Sequence, residues 1–178
     1  MSESFDISQS PEVKKYLDTK LKKAAERAML ATANRIVNHI QTVIIPGFAQ
    51  PPVDKGMYRA AWRAKKSPNG AEVYNNSPQA SHIEYGVRAE NVKIGRAMID
   101  ALTKWVLRKG IVTGKGKSAQ ADARGMAFAI ANSMKKRGIF NRDGKRGLQV
   151  LKTALERTGD FVNEEFATEI KREFGEKG

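Results

Sequence analysis

Few residues in this chain have the types and spacing for chemistry, and Gly116-Lys117-Ser118 is the most suggestive group. It copies the end of a P-loop, where backbone amides cradle phosphates and the lysine reaches the outermost ones. That motif also needs a glycine five residues before Gly116 and a strand leading in. Position 111 is Ile, and the preceding segment has helical spacing. A flexible basic loop over 110–118 is therefore expected, not nucleotide hydrolysis. His82-x-Glu84 has the spacing used by zinc deaminases, but that site is completed by two cysteines, and the chain has none. On a strand, residues 82 and 84 share a face and simply reach across the surface. His39, the other histidine, lies far away in sequence, and no carboxylates cluster with either one. The residues predict no catalytic group, no metal ligand and no cofactor: the chain reads as a non-enzyme.

The cations carry more information. Lys135, Lys136, Arg137, Arg142, Lys145 and Arg146 fall within twelve residues around a glycine-containing loop, and Lys115 and Lys117 lie in the earlier glycine-rich one. Side chains of this kind lie against phosphates without reading bases. Lys115, Lys117, Lys135, Lys136, Arg142, Lys145 and Arg146 are thus the candidates for contact with DNA. The competing use is pairing with acidic residues of a neighbouring subunit, for which Glu164, Glu165, Glu169 and Glu173 are available. Tyr58, Trp62, Tyr74, Tyr85 and Trp105 have rings that can stack on bases. Aromatics on strands usually pack a sheet against helices instead, and core packing is the expectation here.

Composition sets the outer limits. The chain has 178 residues, 40% of them hydrophobic, enough for one core and one expected domain over 1–178. No apolar run approaches the roughly 20 residues that cross a bilayer. The opening MSESFDISQS lacks a basic start followed by an apolar stretch, so no secretory signal is expected. The absence of cysteine fits assembly in a reducing cytoplasm. The net charge is +13 and unevenly spread. Residues 1–155 hold 28 basic and 12 acidic side chains, and residues 156–178 hold 4 and 7. An excess of this size favours an anionic partner but says nothing of fold.

The elements that must position these residues follow from periodicity. Ser10-Pro11-Glu12 is a helix start. Val13, Leu17, Leu21, Ala24, Ala28, Thr32, Ile36, Ile40 and Val43 then mark one stripe of a helix over 11–45, ended by Pro46-Gly47. Such a helix is roughly 50 Å long, more than a small domain requires, so Val13, Leu17 and Leu21 become candidates for contact with another subunit. Alternating runs at 58–66 and 71–76 flank Pro68-Asn69-Gly70 and predict a β-hairpin. A third short strand is expected at 82–85. Helices are expected over about 94–109, 119–137 and 148–174, with Gly159 able to bend the last. The fold class predicted is α+β: a small, mostly antiparallel sheet of three or four strands packed by the long N-terminal helix and three further helices.

Gly56-x-x-Arg59-x-x-Trp62, Val73-Tyr74-Asn75-Asn76, Ala80-x-x-Ile83-Glu84-Tyr85-Gly86 and Trp105-Val106-x-Arg108-Lys109 follow one another in order. Ala127-x-x-Ile130-Ala131-x-x-Met134-x-x-Arg137-Gly138-Ile139 continues the series. In order and spacing this resembles the head–tail joining and tail-completion proteins of tailed bacteriophages, the minor tail protein Z-like neck family, across positions 10–175. The resemblance implies a virion structural protein assembled in the host bacterial cytoplasm. It implies a six-fold homo-oligomeric ring at the neck, contacts with neighbouring neck and tail proteins, and a central channel for passing DNA. The alternative, carried by charge alone, is a free-standing basic DNA-binding protein; no helix-turn-helix or zinc pattern accompanies it.

Overall fold

The structure, a computed structural model, describes residues 10–48, 56–114, 116–139, 141–142 and 145–175. In chain order the elements are α1 (Pro11–His39), a π-helical turn (Ile40–Ile44), α2 (Ile45–Gly47), α3 (Met57–Ala60), β1 (Trp62–Ser67) and β2 (Gly70–Asn75). They continue with α4 (Ala80–Tyr85), a 3-10 turn (Ala89–Asn91), α5 (Arg96–Arg108), α6 (Gly116–Arg137), β3 (Asn141–Arg142), β4 (Lys145–Arg146), α7 (Val150–Arg157) and α8 (Gly159–Phe174). The class is α+β, mostly helical. Two compact units form: residues 1–78 together with 150–178, and residues 79–149.

In the first unit, Pro11 opens α1, where its missing N–H costs nothing. The helix runs on until Pro46 disturbs it. Proline cannot donate to the carbonyl four residues back, and its ring presses on that carbonyl. The chain relieves this by widening one turn, so that the Ile45 N–H donates to the Ile40 carbonyl, five residues back. Ile40, Ile44 and Ile45 are buried in this turn. Helices α3 and α7 pack on it.

Strands β1 and β2 pair antiparallel from Trp62↔Asn75 to Ser67↔Gly70, leaving Pro68 and Asn69 as the two turn residues. The sheet thus has two strands rather than the three or four expected. Tyr58, taken for a strand residue, sits in α3, and the chain enters β1 only at Trp62. The supposed third strand at 82–85 is the end of α4. The Asn75 side chain explains part of this: its amide donates to the Tyr58 carbonyl, 2.9 Å, and its oxygen accepts the Ser77 N–H, 2.9 Å. The strand is thereby turned away before a further pairing can begin.

Helix α1 packs on both strands and on α8. Its buried positions are Ala24, Ala28, Thr32 and Ala33, small enough for close approach. Contacts pair Lys20 with Glu173, Arg27 with Glu169 and Glu173, and Arg35 with Glu164 and Glu165. The His39 ring meets Phe161 edge-on at 5.5 Å, and the Arg35 guanidinium lies 4.0 Å from the same ring. Rising numbers on α1 meet falling numbers on α8, so the two helices are antiparallel. Helix α7 ends at Arg157, the Thr158 hydroxyl after it donates to the Ala154 carbonyl, and α8 begins at Gly159.

Acid should loosen this helix pair. Hydrogen bonds from Arg27 hold the Glu169 and Glu173 carboxyls below the ordinary carboxylate range. A carboxylate depressed in the folded state stabilises it above the unfolded value, and that contribution is lost as pH falls through the folded value. The expected loss therefore starts near pH 4.5 and grows below it. Melting temperatures at pH 7, 5, 4 and 3 for the wild type and for Glu169→Gln with Glu173→Gln check this. The double variant should be the less stable at pH 7 and show a flatter decline in acid. Parallel curves would contradict the assignment.

In the second unit, α5 and α6 pack along Ala119, Ala123, Ala127 and Ala131, a buried stripe at four-residue spacing. Ile99 with Ala127 and Ala131 forms a core cluster, joined by Ile94, Met98 and Leu102. Arg124 donates to Asp100 at 3.0 Å across the pair. No helix among the described residues is long and apolar enough to cross a membrane.

Candidate nucleic-acid interface

The charge is concentrated in the second unit. Residues 79–149 hold 15 basic and 5 acidic side chains, a net of +10, while the rest of the chain holds 17 and 14, a net of +3. All seven cations singled out for DNA contact lie in this stretch.

Helix α6 delivers three of its cations to its last turn. Lys135, Lys136 and Arg137 are exposed there, where the unpaired carbonyls of a helix C-terminus favour positive charge. At Gly138 the chain turns with φ 82, and Ile139 forms a β-bridge with Val87. The Ile139 N–H donates to the Val87 carbonyl at 2.9 Å, and the Val87 N–H donates to the Ile139 carbonyl at 3.0 Å. This bridge brings Arg88 to the end of α6. Arg88 is exposed and reaches Glu90 at 3.7 Å.

The chain then makes the two-residue strands β3 and β4, paired Asn141↔Arg146 and Arg142↔Lys145. Gly147 turns back with φ 75. The Leu148 N–H donates to the Ile83 carbonyl at 2.8 Å, and the Gln149 N–H to the Glu84 carbonyl at 3.2 Å. The stretch 138–147, expected as a loop, thus contains the strand pair β3–β4, and Ile139 before it and Leu148 and Gln149 after it are fastened to residues 83–87. The fastening consists of backbone bonds, so side-chain periodicity carried no sign of it.

The structure does not gather the seven cations into one patch. Arg142, Lys145 and Arg146 lie on the hairpin backbone next to Lys135 and Lys136 in sequence. Lys117 is exposed in the first turn of α6, 18 residues before Lys135 and so roughly 27 Å away along the helix. Lys115 lies outside the described residues. Arg88 is the member the sequence reading missed; a backbone bridge between distant residues leaves no local pattern.

The other sequence candidates are placed as follows. His82 and Glu84 lie on helix α4, not on a strand, and so on different faces: His82 is exposed and Glu84 buried. Among the described residues no three His, Cys, Asp or Glu side chains gather in a way that would hold a metal ion. Tyr58 and Trp62 are buried, with their rings 5.9 Å apart and edge-on. Tyr85 is 69% exposed. It immediately precedes the turn at Gly86 and does not pack in the core, contrary to expectation. Glu164, Glu165, Glu169 and Glu173 are engaged by Arg35, Arg27 and Lys20 of their own chain. Leu17 and Leu21 are exposed on α1, and Val13 is half-buried.

What this arrangement can do is electrostatic. Cations exposed at the end of a helix, such as Lys135 and Lys136, are of the kind that can lie against phosphates without distinguishing a sequence. Comparison with family models, curated proteins and solved structures finds no match for this chain.

Proposed function

We propose that this chain is a non-enzymatic structural subunit of the head–tail junction of a tailed bacteriophage. It assembles as a six-fold ring against neighbouring neck and tail proteins, with the basic unit turned toward the passing DNA. The order of sequence pieces across positions 10–175 suggests the family. The observation that carries the choice over a free DNA-binder is the uncovered stretch of α1. No residue of that helix before Ala24 is buried, and Tyr16, Leu17 and Leu21 are 58%, 40% and 45% exposed. Apolar side chains left exposed along one helix face support a contact with another protein. A monomer that only held DNA would need the cations alone.

The alternative keeps the +10 unit as its support: a small DNA-binding protein acting by itself. Salt dependence and size separate the two. Each phosphate contact contributes about −0.9 to the slope of log affinity against log salt on duplex DNA. Changing Arg88, Lys135 and Lys136 to Ala should flatten the slope by about 2 to 3 for three lost contacts, and the mass in light scattering should stay that of the oligomer. A slope that does not move would remove these residues from the interface. A monomeric wild type with tight, steeply salt-dependent DNA binding would favour the alternative.

A further inference from the structure

Helices α7 and α8 are held to the first unit in different ways. Helix α7 is anchored by Val150 and Ala154, both fully buried, and packs on the π-helical turn. Thr158, the next residue along, is buried too. Helix α8 buries no apolar side chain fully; its one buried residue is Glu169. Val162, Ile170 and Phe174 stay exposed on it. What holds α8 on α1 is the ladder of Lys20, Arg27 and Arg35 against Glu164, Glu165, Glu169 and Glu173, with the Phe161 ring against His39 and Arg35. Ion pairs that solvent reaches contribute little each, so α8 is the detachable part of this unit.

The link between α7 and α8 is a single residue. Helix α7 ends at Arg157 and α8 begins at Gly159; between them Thr158 leaves the helical region, with φ −123 and ψ 16. A Cβ at Gly159 would meet nothing within 4 Å, so the space beside the bend is open. The sequence on both sides keeps one helical period. Leu151, Leu155, Val162 and Phe166 would share a face about 60° wide on an unbroken helix over 150–174. The bend interrupts that face and leaves Leu155 72% and Val162 44% exposed. The backbone of Thr158 is what separates the bent form from a straight helix roughly 37 Å long. Short hinges of this kind invite the exchange of an element between identical chains.

We infer that α8 is exchanged between copies of this chain: Thr158 straightens, and α8 lies on α1 of the next subunit through the pairs it makes here on its own. Arg27 of one chain then meets Glu169 and Glu173 of another, and Arg35 meets Glu164 and Glu165. Each chain gives one α8 and receives one, so no charge loses its partner. Straightening also brings Leu155 and Val162 onto one ridge. A helix handed on to a third chain, rather than returned, closes a ring when the rotation allows. The inference rests on the ring reading and supplies a joint for it.

Paired charge reversals in the full-length chain test this. Arg27→Glu with Arg35→Glu makes one variant, and Glu165→Arg with Glu169→Arg makes the other. Each alone sets like charges against each other wherever α8 lies. Each should lose the oligomer in light scattering and melt below the wild type. Unfolded together and refolded as an equal mixture, they should regain both, because each α8 then finds a matching α1 only on the other variant. Inserting Gly-Ser-Gly-Ser between Thr158 and Gly159 lets α8 reach its own α1 freely and should leave a folded monomer. Gly159→Ala favours the straight helix and should increase the oligomer's share. A mixture that regains nothing, with an insertion variant that assembles like the wild type, would overturn the exchange and leave the ring standing. A mixture that regains its stability only as pairs would uphold the exchange and overturn the ring. A monomeric wild type would overturn both.

Discussion

Trp62→Ala should lower the unfolding free energy by about 3–5 kcal/mol. Trp62 is 2% exposed, begins β1 and packs edge-on against Tyr58, itself 5% exposed. Removing an indole from such a site forfeits its burial and leaves a cavity that the hairpin and α3 cannot both close. The loss is a large part of the 5–15 kcal/mol that holds a typical domain folded. Trp62→Phe should cost far less. The indole N–H is buried without an acceptor among the described residues, so phenylalanine removes a polar group that gains nothing where it is. Urea unfolding of both variants checks this. A Trp62→Ala protein as stable as the wild type but weakened in DNA binding would make the ring a stacking residue and contradict its place in the core.

Gly147→Ala should destabilise the second unit by about 2–4 kcal/mol. Gly147 has φ 75, and a Cβ there would lie 2.0 Å from the Glu84 carbonyl oxygen and 2.7 Å from the Tyr85 carbonyl carbon. Those atoms are backbone and cannot rotate away. The chain must open at the point where Gln149 donates to Glu84, which frees one end of the basic hairpin. The variant should therefore lose both stability and part of the salt slope of DNA binding. Gly125→Ala is the control. It lies in α6 with open space where its Cβ would be, and replacing a helical glycine by alanine should stabilise by about 0.5–1 kcal/mol. Equal effects at the two positions would contradict the clamp.

The contrast between what the sequence disclosed and what it hid is physical. Pro11 and Pro46-Gly47 bracket the long helix because proline acts locally, and the hairpin at 62–75 followed from alternation around a turn. The helix expected over 148–174, with Gly159 able to bend it, is instead two helices, and Gly159 opens the second. The segment 80–85 was not legible. Four to six residues of mixed character fit a strand or a single helical turn, and the choice is made by contacts from elsewhere, here the backbone bonds of Leu148 and Gln149 to Ile83 and Glu84. The π-helical turn before Pro46 was equally hidden, since it is the fold's answer to one misplaced ring. At the candidate interface the cations could be named from the sequence, but their grouping could not. Lys117 and Lys135 belong to one helix and to opposite ends of it. Arg88 joins through a bridge between residues 52 positions apart. The acidic residues of α8 were read as free to meet a neighbour, whereas Arg27 and Arg35 lay too far off in sequence to be recognised as their partners.

The central claim is that the chain is a ring subunit, and electron micrographs of the purified protein at micromolar concentration test it most directly. The account predicts closed particles of one size with a central opening wide enough for duplex DNA, which fall to single subunits when Leu17 and Leu21 are changed to Asp. Single subunits in the wild type, or open chains of indefinite length, would contradict it.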